Sequence, residues 1–305
     1  MLWSTDVDHT PERRLKKFYL TRFRVKEYKF CEEKFGTSLH NVEQMQIIKS
    51  VKTSLDILNC FTNGTPKIGV IEISRKLGLS KSTVSRILST LERGNFVAKG
   101  TTDQKYRLGS KVLELASIFL STIEWRTIAT PYLKDLRDKT DETVMVFVID
   151  EDKRILLEKF ESSHELRPFL NIGGRYPLHA GSAGKLLLAY LTKDKQKEVI
   201  LKTGLPRYTP NTIRNFKSLE KELTKIRKKG IAVSHQERVP FLSSISAPIR
   251  DFKGEVIAAL CVDGPTVRFT SEKVKEFISL AVETADKISR EIGFKYHRAT
   301  KRKRN

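Results

Sequence analysis

Ser82, Ser85, Arg86, Ser89 and Arg93 fall on one side of a helical projection, opposite an apolar stripe of Val84, Ile87, Leu88 and Leu91 spaced i, i+3, i+4, i+7. That polar side carries no carboxylate. Short hydroxyls and guanidinium groups reach base edges and phosphates in a major groove, whereas an ordinary solvated helix face mixes both charge signs. The same pattern fits a plain helical hairpin, and the neighbouring sequence favours one of the two. Val70, Ile73 and Leu77 share a face of the preceding segment, Gly78 stands where a helix ends in the left-handed conformation, and Ser80 can cap the next helix. After Gly94, "NFVAKG" and "KYRLG" read as short strands joined by the polar turn "TTDQ", with Lys105 and Arg107 at its tip. Two helices, a tight turn and a wing predict a winged helix-turn-helix that binds double-stranded DNA. Ser82, Ser85 and Arg86 are expected at base edges. Lys81, Thr83, Arg93, Lys105 and Arg107 are expected on phosphates or in the minor groove, and Ser80 and Ser89 complete the contacting set.

A second group of residues imitates a catalytic site. Ser182 to Lys185 matches S-x-x-K and Lys202 to Gly204 matches K-T-G, both elements of penicillin-binding serine enzymes. The S-D-N element that the chemistry needs between them is missing, and "KTG" ends a lysine-rich helical stretch rather than a strand. His179 has no second histidine or cysteine at ligand spacing, so it is read as structural. No glycine-rich phosphate loop is present. No catalytic residue, metal site or cofactor is expected. A small-molecule enzyme using the Ser182/Lys185 region and a nonspecific basic nucleic-acid binder stay as alternatives.

A chain of 305 residues accommodates two domains, each with its own core. Its formal net charge of +21 calls for an anionic partner, although much of the excess lies outside the winged helix, as in the tail "KYHRATKRKRN". Cys31, Cys60 and Cys261 show no disulfide or zinc spacing and suit a reducing cytosol. No apolar run is long enough to span a membrane, and the start lacks a secretion signal, so a cytoplasmic protein without a membrane partner is expected.

Residues 1–46 read as a basic extension, either a poorly ordered segment, a DNA-contacting arm, or upstream sequence ahead of a true start at Met45. A helix is predicted from Ile47 to Phe61, with Val51, Leu55, Leu58 and Phe61 inward, closing a first domain over 47–109. Residues 110–124 form a linker helix with Val112, Leu115, Ala116, Phe119 and Ile123 on a broad apolar stripe, to be covered by a second subunit or by the downstream domain. The second domain, 125–293, opens with a helix from Ile128 to Thr140. Strands follow at "TVMVFVID", "ILLEKFE" and "LRPFLNIGG", then a helix starting near Ser182. A helix, a stop at Gly230 and a strand come next. Two strands turn at Lys253 and Gly254, and a closing helix runs from Ser271 to Ile292. Residues 294–305 form a basic tail. This order is α+β with antiparallel pairs and covering helices, not a doubly wound sheet.

From "SVKTSLDILNCF" through "LGLSKSTVSRILSTLERGNFV" and "KYRLGSKVLELA" to "PLHAGSAGKLLLAYL", "LPRYTPNTI", "GIAVSHQE", "SAPIRDFKGEVIAALCVDGP" and "RFTSEKVKEF", the chain resembles the IclR family of transcriptional regulators, over roughly Ile47 to Gly293. The resemblance implies a winged helix-turn-helix joined by a linker helix to a GAF-like effector domain, acting as a dimer or tetramer. It also implies a small organic effector, a carboxylate or sugar acid, and carries the effector positions onto Gly181, Ser182, Glu237, Leu242, Ser244, Cys261 and Asp263. Here the chain departs from the common pattern. Phe241 stands where glycine is usual, Ser244 where cysteine is frequent, and Cys261 and Asp263 where serines are frequent. Independently of the resemblance, a helix start at Gly181 to Gly184 offers backbone donors and a positive dipole end to an anion.

Overall fold

A computed structural model describes residues 47–62 and 64–295; the extension over 1–46 and residues 296–305 of the tail lie outside the described residues. The chain divides into two compact units, Met1–Gly109 and Ser110–Asn305.

In the first unit, helix α1 (Lys49–Leu58), strand β1 (Lys67–Ile68), helices α2 (Val70–Leu77) and α3 (Lys81–Arg93), and strands β2 (Val97–Lys99) and β3 (Tyr106–Leu108) follow in order. The strands form an antiparallel sheet in the order β1-β3-β2, which is the wing. Gly78 ends α2 at φ 66°, a conformation that costs glycine nothing, and its N–H donates to the Ser74 carbonyl. Ser80 then caps α3, its Oγ accepting from the Thr83 N–H at 3.2 Å. Val84 and Leu88 are fully buried with Ile57, Ile68, Ile73, Val97 and Tyr106, while Ile87 and Leu91 pack at the edge of that core. The expected inward set on α1 is corrected in part. Val51 and Leu55 are more than half exposed, because the face turned to the core runs through Thr53, Ser54 and Ile57 and continues to Cys60 and Phe61. The helix also stops at Leu58, not Phe61.

In the second unit, α4 (Ser110–Ser121) and α5 (Glu124–Thr140) lead into β4 (Thr143–Asp150), β5 (Lys153–Phe160) and β6 (Arg175–Pro177). Then come α6 (Ser182–Tyr190), α7 (Lys193–Thr203), α8 (Phe216–Lys229), β7 (Ala232–His235), β8 (Leu242–Arg250), β9 (Val256–Pro265) and α9 (Ser271–Glu291). The six strands form one antiparallel sheet, ordered β6-β5-β4-β9-β8-β7. Because side chains alternate along a strand, each face builds its own core. Val144, Val146, Ile245, Ala247, Ile249, Leu260 and Val262 meet α5 and α9, whereas Met145, Phe147, Ala259 and Cys261 meet α6, α7 and α8.

Two expectations are revised here. Residues 166–174 form no strand: Pro168 has no N–H to donate, Gly173 turns at φ 78°, and the edge strand is Arg175–Pro177. The linker helix is α4, and it buries no side chain; Leu113, Leu115, Ile118 and Phe119 are exposed, so the downstream domain does not cover it. Ile123, just beyond its end, is the stripe residue that is buried.

Candidate functional site

The face of α3 opposite Val84 and Leu88 is open. Lys81, Ser82, Thr83, Ser85, Arg86, Ser89 and Arg93 are all exposed, and the first turn holds no acidic residue. The positive end of the helix dipole therefore adds to Lys81 at the place where a phosphate would lie. Hydrogen bonds among the hydroxyls are confined to the start of the helix, where Ser80 Oγ lies 2.8 Å from Thr83 Oγ1 and 3.0 Å from Ser82 Oγ. Ser80 is thereby committed to capping. On the wing, Arg107 is exposed and in register with Ala98 and Lys67. Lys105 is half-committed: its Nζ lies 3.3 Å from Glu72 Oε1, an exposed pair of small worth. Glu72 also accepts the Gly69 N–H at 2.7 Å, and this bond first, then Lys105, holds its carboxyl below the usual range. Lys67 pairs in the same way with Asp103 in the wing turn, at 3.2 Å. Sequence reasoning missed these two carboxylates; the capping-box spacing of Glu72 was the signal available for one of them.

The second site is a narrow cleft at the start of α6. All of Gly181, Ser182, Glu237, Leu242, Ser244, Cys261 and Asp263 line it, though they come from four separate stretches of chain. Strand register explains the convergence. Ser234 pairs with Ser244, Ser244 with Asp263, and Asp263 with Thr143, so a polar row crosses four strands on the face below α6. The next row sets Ser246 beside Cys261. Ser182 Oγ sits over both rows, 2.7 Å from Ser244 Oγ, 2.8 Å from Ser246 Oγ and 3.6 Å from Cys261 Sγ. Glu237 reaches in from the loop after β7: its Oε2 accepts the Gly181 N–H at 3.2 Å, and its Oε1 lies 2.5 Å from Lys185 Nζ. Lys185 is 1% exposed and also meets Glu222 Oε1 at 3.3 Å and the Val233 carbonyl at 3.0 Å.

Two arginines on the cleft wall were absent from the expected set. Arg154 is 3% exposed and slides beneath the start of α6, its Nη1 donating to the carbonyls of Pro177 and Ala180. Gly184 is required there, since a Cβ would fall 2.7 Å from the carbonyls of Pro177 and Leu178 and run into the guanidinium. Burial, and then the neighbouring Arg238, push Arg154 down to about 10. Asp263 is pushed up to about 7 by burial, against the pull of Arg238 and Arg154. Burial and Asp263 raise the Cys261 thiol to about 12, so it is a neutral, unreactive group.

The imitation of a serine enzyme dissolves in three dimensions. Ser182 Oγ is bonded to serines, Lys185 Nζ is held by carboxylates, and Lys202 and Thr203 end α7 ahead of Gly204. His179 binds the Pro206 carbonyl at 3.0 Å and stacks on Tyr208; burial first lowers its pKa. Among the described residues no cluster of metal-ligating side chains occurs, and no helix is long and apolar enough to cross a membrane.

Known proteins match both units. A profile of the IclR helix-turn-helix domain matches residues 50–100, and one of the bacterial transcriptional regulator IclR C-terminal domain matches residues 118–290. The HTH-type transcriptional regulator KdgR of Escherichia coli is 32% identical over 228 residues, covering 75% of this chain and 87% of that protein. The HTH-type transcriptional repressor AllR of Escherichia coli is 30% identical over 249 residues, covering 82% of this chain and 92% of that one. The crystal structure of Thermotoga maritima IclR superposes with a TM-score of 0.67 at 30% identity, over 81% of this chain and 100% of that chain. With an open recognition helix free of acids from Lys81 to Leu91 in one unit, a walled cleft in the other, and relatives matched along most of their length, the chain belongs to the IclR family of DNA-binding transcriptional regulators.

Proposed function

We propose that α3 enters the major groove of an operator, with Ser82, Ser85 and Arg86 at base edges and Lys81, Thr83, Arg93 and Arg107 on the backbone, while Ser89 lies further along the same face. Lys105 joins the backbone contacts after exchanging Glu72 for a phosphate, and Ser80 acts by capping. The observation that carries this reading is the face of α3 from Lys81 to Ser89, exposed, free of carboxylates and backed by two fully buried side chains. The apolar side chains of α4 are covered by a second copy of the chain, so two recognition helices read two half-sites as a dimer, which can pair into a tetramer. The cleft at α6 takes a small organic acid as effector, through Gly181, Ser182, Glu237, Leu242, Ser244, Cys261 and Asp263, and its occupancy changes the angle between subunits through α4. The regulator works in the cytoplasm, on DNA.

A salt series on an operator fragment tests the roles. Arg107→Ala is expected to weaken binding to all sequences alike and to lower the salt slope by about one. Arg86→Ala is expected to relax sequence preference at a cost of about 1–3 kcal/mol on the best site. Identical behaviour of the two variants would break the assignment, and a specificity ratio near unity over random DNA would favour the nonspecific binder.

A further inference from the structure

Two pairs of helices cover opposite sides of the second unit's sheet, and their charges differ. On one side α5 and α9 carry eight lysines and arginines against eight carboxylates, whereas on the other α7 and α8 carry ten against four. The basicity of the chain is therefore not spread evenly. On α8 the buried stripe is Leu219, Leu223 and Ile226, and the opposite side runs through Lys217, Lys221, Thr224 and Lys228 at i, i+4, i+7, i+11. These four are exposed, with no acid among them. The acids of α8 lie on its flanks and are engaged, Glu220 with Lys193 at 3.1 Å and Glu222 with the buried Lys185 at 3.3 Å. Lys217, Lys221 and Lys228 have no carboxylate within ion-pair distance among the described residues. Lys228 also borders a groove between α8 and the start of α7, which Lys193, Thr224 and Arg227 help to line. Beside it the Tyr190 ring takes two guanidinium groups, Arg227 at 6.0 Å and Arg250 at 4.8 Å from its centroid.

We infer that this side of α7 and α8 is a second DNA-contacting surface, which binds the phosphates of a duplex without regard to sequence. Like charges gathered on one helix face repel one another, and an anionic polymer laid across them turns that repulsion into attraction. From Lys217 to Lys228 the helix rises about 16 Å, the span of about five phosphates of one strand. The chemistry differs from that of α3. A flexible ammonium is a point charge suited to phosphate oxygens, whereas base edges are read by planar forks and short polar side chains. The outer side of α8 offers three ammonium groups and one hydroxyl. A helix that lies on an anionic bilayer carries apolar side chains to bury in it, and the outer side of α8 has none. Duplex DNA is the polyanion at hand, since the first unit of the same chain is a DNA-binding domain.

Charge removal in the full chain tests this. One variant combines Lys217→Gln, Lys221→Gln and Lys228→Gln; a control combines Lys134→Gln, Lys273→Gln and Lys275→Gln, which takes the same charge from exposed positions on α5 and α9. Affinity for an operator fragment and for a random-sequence duplex is measured across a salt series, with far-ultraviolet spectra showing that both variants fold. The α8 variant is expected to lower the slope of log affinity against log salt by about two to three on both duplexes, with their affinity ratio held within about twofold. The control is expected to move the slope by less than about 0.5. An unchanged slope in the α8 variant would overturn the inference, and so would an equal fall in the control, because net charge alone would then explain the loss. A fall confined to the operator would overturn it as well, since the contact would then depend on sequence. If the DNA slope holds but the α8 variant no longer sediments with vesicles of phosphatidylcholine and phosphatidylserine that retain the wild type, the face is a membrane surface and the inference fails. Arg86→Ala and Arg107→Ala in the same series keep the result apart from the roles given to α3: those roles can fail while the α8 variant still lowers the slope, and the reverse.

Discussion

The hydroxyls on α3 and those around the start of α6 are alike in type and opposite in situation. On α3, Ser82, Ser85 and Ser89 stand in the open beside Arg86. Around α6, Ser182, Ser244 and Ser246 are at most 8% exposed and bind one another. Water satisfies an exposed hydroxyl until a partner displaces it, whereas a buried one must be matched within the fold before any ligand arrives. The first cluster can thus meet a macromolecule with no prior commitment. The second admits only a molecule small enough for its cleft.

Substitutions of charged residues should separate the two regions most strongly. Glu237→Ala removes the carboxylate 2.5 Å from the buried Lys185 and leaves that ammonium with Glu222 at 3.3 Å. A cost of about 3–5 kcal/mol is expected in urea unfolding of the second unit. Arg86→Ala, on the open face, should stay within about 0.5 kcal/mol of wild type in stability while changing DNA binding. Equal stability of the two variants would erase the contrast. Gly184→Ala comes next. Alanine ordinarily strengthens a helix, but here the added methyl meets two backbone carbonyls at 2.7 Å as well as Arg154, so a net loss of about 1–3 kcal/mol is expected. A gain would mean that the start of α6 has room to shift and that the cleft is less rigidly built than α3.

The same contrast governs what was legible in the chain. The recognition helix is local: Gly78, Ser80, the stripe from Val84 to Leu91 and the polar face all lie within a few turns, and periodicity alone placed them. The strands read at 143–150 and 155–161, and observed at 143–150 and 153–160, were likewise legible from apolar runs around a polar turn. The cleft is not local. Its seven expected residues came from resemblance, and Arg154 and Arg238 escaped notice because a single arginine on a strand or loop gives no periodic signal. Only the register Ser244↔Asp263 and the crossing of β5 under α6 bring them to the wall. The faulty reading of 166–174 has the same root. A run of Leu, Phe and Ile looks like a strand in isolation, yet Pro168 and Gly173 forbid the ladder, and Phe169 ends 85% exposed.

A gentler probe of the interior is pH. The folded state holds Asp263 at about 7 against an ordinary 3.8, so between those values it binds more protons than the unfolded chain. Stability from this group is greatest in acid and falls as pH rises toward about 7, then stays level. His179 has the reverse sign: its lowered pKa withdraws stability as pH falls below 6.5. The wild-type curve mixes the two, and the difference between Asp263→Asn and wild type isolates the carboxyl. That difference should grow by about 1 kcal/mol from about pH 6 to about pH 8. Melting temperatures that run parallel across that range would show that the folded state leaves Asp263 at its ordinary value.

The smallest expected effect lies on the DNA-facing side, where every charge is screened. Glu72 competes with DNA for Lys105, and the ion pair at 3.3 Å is exposed on both sides and screened by water, so its loss changes stability little. Glu72→Gln keeps an oxygen that can accept the Gly69 N–H and so preserves the start of α2. What it changes is the availability of the Lys105 ammonium on the wing. Operator affinity at low salt should rise slightly, and the slope of log affinity against log salt should steepen by up to about one, the signature of a further phosphate contact. Lys105→Ala in the same background should return the slope to its original value. If Glu72→Gln leaves the slope unchanged, Lys105 is a strut between the wing and α2, and Arg107 is left as the wing's contact from the pair at its tip.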